Sequence, residues 1–282
     1  MNKFYIQIVL FLLSIFIHVN NITLASEPTP QKDTTSEIPC RCITAKDIYE
    51  RNKDLLCTNP KETKEAEELM NEAVKQLKYH ATDMRNYELC AKNVYPDAIL
   101  YKKYLENHTP VEKVEYSVFG SYKCNKIINE TWNPNHPNFL NPGDVKIVRV
   151  YNPNLVMIQQ RYKKEFGSSQ KYFYALATKV QISEDTTVIA YTSADINDHN
   201  PSTKKYENKI IEKANSFKTD IDSEEDIRKG ELIKTFVNLA GYYIQKRGNC
   251  VDITYVESID GHASIQYNSF WGLFCNGYYL NV

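Results

Sequence analysis

Residues 170–195 read QKYFYALATKVQISEDTTVIAYTSAD, two apolar runs around the polar turn Ser183-Glu184-Asp185. β-Branched and aromatic residues on both sides of a short polar break predict a β-hairpin. A hairpin with one wet face alternates apolar and polar side chains. Here Tyr172, Phe173, Tyr174, Ala175, Leu176 and Ala177 are consecutive, and Val188 to Tyr191 repeat the habit. Successive strand residues point to opposite faces, so both faces of this hairpin need cover. One cover is protein. The other is either more protein or a ligand.

A strong helical period precedes the hairpin. In PKETKEAEELMNEAVKQLKYHATDM, residues Ala66, Leu69, Ala73, Leu77, His80 or Ala81, and Met84 recur at three- and four-residue spacing, with Glu and Lys on the other face. This predicts an amphipathic helix packed on a core. Residues 86–110 read as irregular and Tyr-rich. VEKVEYSVF alternates, with Val111, Val114, Tyr116 and Val118 marking a short strand. SYKCNKIINETW predicts a short helix stopped by Asn133-Pro134. VKIVRVY and LVMIQQRY are strands around Asn152-Pro153-Asn154. KKYENKIIEKANSFK reads as a helix with Tyr206, Ile210, Ala214 and Phe217 inward. IKTFVNLAGYYIQK and CVDITYVESI are strands joined by Arg247-Gly248-Asn249. Together these give an α+β pattern with a mostly antiparallel sheet.

The amino terminus carries a targeting pattern. MNKFYIQIVLFLLSIFIHV has one early cation, Lys3, then an apolar stretch, then small residues Ala25 and Ser26 before polar sequence. This fits a cleaved secretory signal over residues 1–25. The apolar run is shorter than the roughly 20 residues a membrane span prefers. Residues 26–60 read as a Cys-containing linker. Secretion favours disulfides among the seven cysteines, Cys40, Cys42, Cys57, Cys90, Cys124, Cys250 and Cys275, most of all the N-terminal ones. No paired CxxC is present, so no zinc site is expected. Asn107-His108-Thr109 and Asn129-Glu130-Thr131 are glycosylation sequons.

Several functions are disfavoured. The formal net charge is −1, with no long basic run, so no nucleic-acid partner is expected. There is no GxSxG, HExxH, P-loop or GxGxxG. The six histidines are scattered and read as surface or capping residues. Asp220, Asp222, Glu224 and Glu231 imitate a calcium loop, but Glu225 stands where the sharp turn demands Gly. No metal, cofactor or enzymatic activity is expected. What remains is a sheet rich in apolar and aromatic residues on both faces, as expected when a helix covers one side and a large apolar cargo the other.

Three stretches in this order resemble the START lipid-transfer family, in the form found in the fam-a antigens of rodent malaria parasites. They are IINETWNPNHPNFLNPGDVKIVRVYNPNLVMIQQRYKK, KYFYALATKVQISEDTTVIAYTSADINDHNP, and IDSEEDIRKGELIKTFVNLAGYYIQK with VDITYVESIDGHASI. Trp132 matches the family's Trp-Asp at a helix end, although Asn133 replaces the acid, and Asp260-Gly261 matches a late turn. The resemblance covers about residues 60–265. It implies a helix-grip fold, a curved antiparallel sheet around a lipid tunnel, with residues 61–270 as the START-like domain. It implies non-enzymatic binding and transfer of phospholipid, phosphatidylcholine above all. The protein would be a monomer making transient membrane contact, secreted toward the parasitophorous vacuole or host red cell. The competing expectation is an exported antigenic or adhesive protein that keeps the scaffold without transfer.

Enclosing an acyl chain of about 16 carbons removes on the order of 12 kcal/mol of unfavourable hydration, at ~0.8 kcal/mol per CH₂. The headgroup needs fewer contacts. Arg149 and Arg161 are candidates for phosphate. Tyr174, Tyr191 and Tyr255, on three strands, are candidates for an aromatic cage around a quaternary ammonium, beside the alternative of plain core packing. Trp132 completes the candidate set. Residues 271–282 form an aromatic tail in which Gly272 and Gly277 weaken a helix, where the family has a long lid helix. The lid therefore reads as truncated.

Overall fold

The structure, a computed structural model, describes residues 43–92, 98–106, 108–136, 142–164, 167–203 and 206–261. The signal segment, Cys40, Cys42, Cys275, the Asn107 sequon and the tail with its truncated lid lie outside the described residues. Helices α1 (Ala45–Arg51), α2 (Pro60–Thr82), α3 (Cys124–Trp132) and α4 (Glu225–Arg228) accompany twelve strands. The strands are β1 (Glu88–Ala91), β2 (Ile99–Tyr104), β3 (Pro110–Phe119), β4 (Gly143–Asn152), β5 (Leu155–Tyr162), β6 (Lys171–Ser183), β7 (Thr186–Thr192), β8 (Asp195–Asn197), β9 (Lys218–Asp220), β10 (Ile233–Lys234), β11 (Phe236–Arg247) and β12 (Cys250–Asp260).

The main sheet runs β1-β2-β3-β12-β11-β7-β6-β5-β4, antiparallel throughout, with β10 added parallel to β6. It is a large curved antiparallel sheet with packed helices, as the α+β pattern requires. The hairpins form at the expected places: β4–β5 across Pro153-Asn154, β6–β7 across Glu184-Asp185, and β11–β12 across Gly248-Asn249.

Asn59 opens α2. Its side-chain oxygen accepts from the Lys61 N–H (3.0 Å) and the Glu62 N–H (3.2 Å), while Pro60 occupies the first turn, where no N–H is needed. Ala66, Leu69, Met70, Ala73, Val74, Leu77, His80 and Ala81 form the buried stripe. They pack on one sheet face, against Leu155, Met157, Tyr172, Tyr174, Leu176, Val188, Ala190 and Leu239. The seat is close. Gly241 has φ +148°, and a Cβ there would lie 2.1 Å from the Ile189 carbonyl oxygen and 2.9 Å from Leu77 Cδ2. Met84 is not part of the stripe: α2 ends at Thr82, and Met84 is 47% exposed.

Other expectations change as well. The irregular stretch 86–110 holds strands β1 and β2, which extend the sheet beyond β3. The linker contains α1, whose Thr44–Asp47 capping box starts it and whose Ile48 is buried in the core. The helix expected over 204–218 does not form among residues 206–217; only a 3₁₀ turn at Glu212–Asn215 appears. Asn208 Oδ1 accepts the Ile210 N–H (2.9 Å) and the Ile211 N–H (2.8 Å), and Asn215 Oδ1 accepts the Asn208 N–H (2.7 Å). These side-chain bonds outcompete the helical ladder, yet Ala214 and Phe217 still point inward. His80 is a core residue, 2% exposed, with Nδ1 3.0 Å from the Tyr87 hydroxyl. Cys57, Cys90, Cys124 and Cys250 are free thiols.

Candidate cavity on the face opposite α2

The face of the sheet turned away from α2 carries a second apolar series: Val156, Ile158, Phe173, Ala175, Ala177, Ile189, Ala240 and Tyr255. It alternates residue by residue with the series under α2, which is why both faces of the opening hairpin are apolar. α1 and the end of α3 lie over this second face. Between them and the sheet is a small cavity of about 60 Å³ that runs out to solvent. Ile48, Trp132, Ile147, Ile158, Phe173 and Tyr191 are among its walls.

Trp132, Tyr191 and Tyr255 all line this cavity. Trp132 is the last residue of α3, which stops because Asn133 turns away and Pro134 follows. Its ring is 5% exposed, and its Nε1–H has no hydrogen-bond partner among the described residues. Tyr255 is buried and donates its hydroxyl to Glu257 Oε2 (2.8 Å). Burial, then the Glu257 charge, pushes that phenol well above its ordinary range. Tyr191 is half-buried, and burial raises its phenol too.

The other three candidates lie elsewhere, and the strand registers explain why. Val145 and Ile147 face the cavity, so alternation alone would send Arg149 there. The register slips between Ile147 and Arg149, and this bulge turns Arg149 to the opposite face. There Arg149 Nη1 donates to Glu62 Oε1 on α2 (2.6 Å) and to Thr219 Oγ1, and its Nη2 donates to the Asp220 carbonyl (2.7 Å). The Tyr151 hydroxyl donates to the same Glu62 oxygen (2.8 Å). Arg161 is also on that face, donating to both Asp226 oxygens (2.5 and 3.0 Å) and lying 3.3 Å from Glu224. Its guanidinium holds the Asp226 carboxyl below the usual range. Both arginines are thus occupied by protein carboxylates away from the cavity.

Tyr174 packs under the α2 series, where its hydroxyl accepts from Gln159 Nε2 (2.6 Å) and burial pushes its phenol up to about 12. A plain two-residue turn pairs Ser183 with Thr186 and would put Tyr174 and Tyr191 on one face. The slip between Gln181 and Ser183 pairs Ala177 with Tyr191 instead, and the two tyrosines separate. Gln160, Ile48 and Lys179 were missed by sequence reasoning. Gln160 lines the cavity beside Ile158. Lys179 lies two residues beyond Ala177, on the same face, with Nζ 5.8 Å from the Trp132 ring centroid. Strand parity counted from Phe173 would have found it.

Solved structures similar to this chain include the following. Human StAR-related lipid transfer protein 5 is 12% identical, with 76% of this chain and 90% of that one covered and a TM-score of 0.49. Human STARD10 is 12% identical, with 71% and 70% covered and a TM-score of 0.44. The lipid transfer and protein localization domain of human StarD13 is 13% identical, with 71% and 89% covered and a TM-score of 0.41. No family model and no curated protein matches the chain.

Proposed function

We propose that this chain is a non-enzymatic carrier that binds and transfers a phospholipid, phosphatidylcholine first among candidates, with the acyl part on the apolar face opposite α2, where the small cavity opens to admit it. The observation that carries the reading is the second apolar face. A sheet already covered by α2 does not need Val145, Ile147, Val156, Ile158, Phe173 and Tyr191 turned toward a solvent-connected cavity unless something apolar comes to cover them. The resemblance of the sequence to START domains supports the same cargo class. The aromatic walls, Trp132, Tyr191 and Tyr255, suit a quaternary ammonium. The reading includes secretion of the mature chain after loss of residues 1–25, export toward the host cell, action as a monomer, and brief contact with a membrane to exchange cargo.

Native mass spectrometry of the secreted, mildly purified protein tests this. A co-purified phospholipid, together with transfer of fluorescent phosphatidylcholine between vesicles, is the expected result. A lipid-free mass and no transfer would overturn the carrier reading in favour of an adhesive or antigenic role for the scaffold.

A further inference from the structure

A more polar groove lies along the same helix as the cavity. α3 lies along both: Trp132 belongs to the cavity, while Asn125 and Asn129 of the same helix line the groove with Asn154, Lys179 and Gln181. Lys179 stands at the boundary, on the cavity face of β6, with its ammonium over the Trp132 ring. The ammonium is half-buried and has no hydrogen-bond or ion-pair partner among the described residues. The groove's other charges, Glu184, Asp185 and Lys246, lie toward the hairpin tips. Neither carboxylate pairs with Lys179. Burial alone pulls the lysine below its ordinary pKa, with no neighbouring charge contributing. Beside it the buried Trp132 Nε1–H, a group that can only donate, also has no partner among the described residues.

Two neighbouring unsatisfied groups of the same polarity are informative. Elsewhere the protein pairs its half-buried cations: Arg149 with Glu62, Arg161 with Asp226, Lys234 with Asp198. A buried donor left without an acceptor is costly. A cation and an N–H at one junction are jointly satisfied by one acceptor that carries negative charge. The apolar walls on one side of the junction set what that anion is attached to.

We propose that Lys179 and the Trp132 Nε1–H form the anion subsite of the cavity, receiving the phosphate or carboxylate of an amphiphile whose acyl chain lies against Ile158, Phe173 and Tyr191. This rests on the carrier reading and sharpens it. The cation that selects the cargo is Lys179, while the two strand arginines hold α2 and α4 to the sheet. It also predicts that phosphate-bearing and carboxylate-bearing lipids share one determinant and that neutral lipids do not use it.

The test is equilibrium uptake from vesicles of four probes by the full chain: phosphatidylcholine, phosphatidic acid, palmitate and the neutral diacylglycerol, each fluorescently labelled. Wild type is compared with Lys179→Met, which keeps the stem and removes the charge, and with Lys179→Arg. Urea unfolding confirms that each variant folds; Lys179→Gln replaces Lys179→Met if it does not. Losing one charge-assisted hydrogen bond predicts about tenfold to a hundredfold weaker binding of the three anion-bearing probes in Lys179→Met. Diacylglycerol should be unchanged, and Lys179→Arg should restore most of the loss. Equal weakening of all four probes, or no weakening of any, overturns the subsite while leaving the carrier reading standing. A wild type that takes up none of them overturns both. Inorganic phosphate is titrated as well. If it competes at concentrations comparable to the lipids, the site binds free anions, and the amphiphile assignment is overturned.

Discussion

Under α2, the side chains of Leu69, Ala73 and Leu77 are fully buried, and they meet Met157, Leu176 and Val188, which are fully buried as well. The charged and hydroxyl groups on that side are matched: Arg149 with Glu62, Arg161 with Asp226, and the Tyr172 hydroxyl with Asp198 at 2.8 Å. On the opposite face, Val145, Ile147 and Tyr191 are only half-buried. Trp132 Nε1 has no hydrogen-bond partner among the described residues, and the Lys179 ammonium meets only the face of the Trp132 ring. One strand sequence supplies both faces, so hydrophobicity is not what separates them. The difference is closure. The α2 face is a closed core whose arginines and Tyr172 hydroxyl are paired, and the other face is a surface that stays incomplete within the described residues.

The comparison breaks first at Gly241. Gly241→Ala puts a Cβ into the Ile189 carbonyl and Leu77 while keeping a positive φ that an L side chain resists. Overpacking and backbone strain together predict a loss of about 4–5 kcal/mol, seen as loss of the cooperative urea transition. A folded, near-wild-type variant would mean that α2 is not held where its packing puts it.

Removing equal amounts of apolar side chain from the two faces sharpens the contrast. Leu77→Ala, in the closed core, should cost about 3–4 kcal/mol. Ile147→Ala, on the cavity wall, should cost about 1 kcal/mol, because its methyls are already partly in water. Equal costs in urea unfolding would show that both faces are closed cores.

The part of the pH dependence carried by His80 reads the α2 face. Burial, followed by the charge of Lys103, lowers the His80 pKa to about 4. The unfolded chain therefore takes up the proton first as pH falls. Stability is fully present above about pH 6.5, declines between about 6.5 and about 4, and levels off below that, for a total of about 3 kcal/mol. His80→Phe should remove this part of the pH dependence; an unchanged slope would mean that other groups carry it.

The smallest effects come from two hydroxyls. Tyr151→Phe removes the bond to the Glu62 carboxylate and should cost about 1.5 kcal/mol. Tyr191→Phe removes a hydroxyl with no partner among the described residues and should stay within about 0.5 kcal/mol of wild type, while altering the relative uptake of different lipid headgroups. If Tyr191→Phe is the costlier of the two, the cavity face is the more tightly bonded one, and the comparison is reversed.

Much of the fold was readable in the sequence because local chemistry dictates it. The 3.6-residue stripe of α2 and the three polar turns between apolar strands each depend on residues within a few positions of one another. The unbroken apolar runs of β6 and β7 also announced two covered faces, since a strand shows its neighbours to opposite sides whatever the fold. Tyr191 and Tyr255 were picked out as aromatic side chains on the apolar strands, and Trp132 through the resemblance to START domains.

Only the tertiary structure decided which face each candidate joined. A slip between Ile147 and Arg149 and another between Gln181 and Ser183 reverse the facing of everything beyond them. Nothing in the composition of either strand marks where the extra residue lies. Arg149 and Tyr174 were lost from the cavity through such choices of register, whereas Lys179 follows from parity along β6. Arg161 was lost for a different reason: its partner Asp226 is 65 residues away in the chain, and a long-range ion pair leaves no periodic trace. Periodicity and capping act over a few residues and can be read in order, whereas register and charge pairing are settled when distant segments meet.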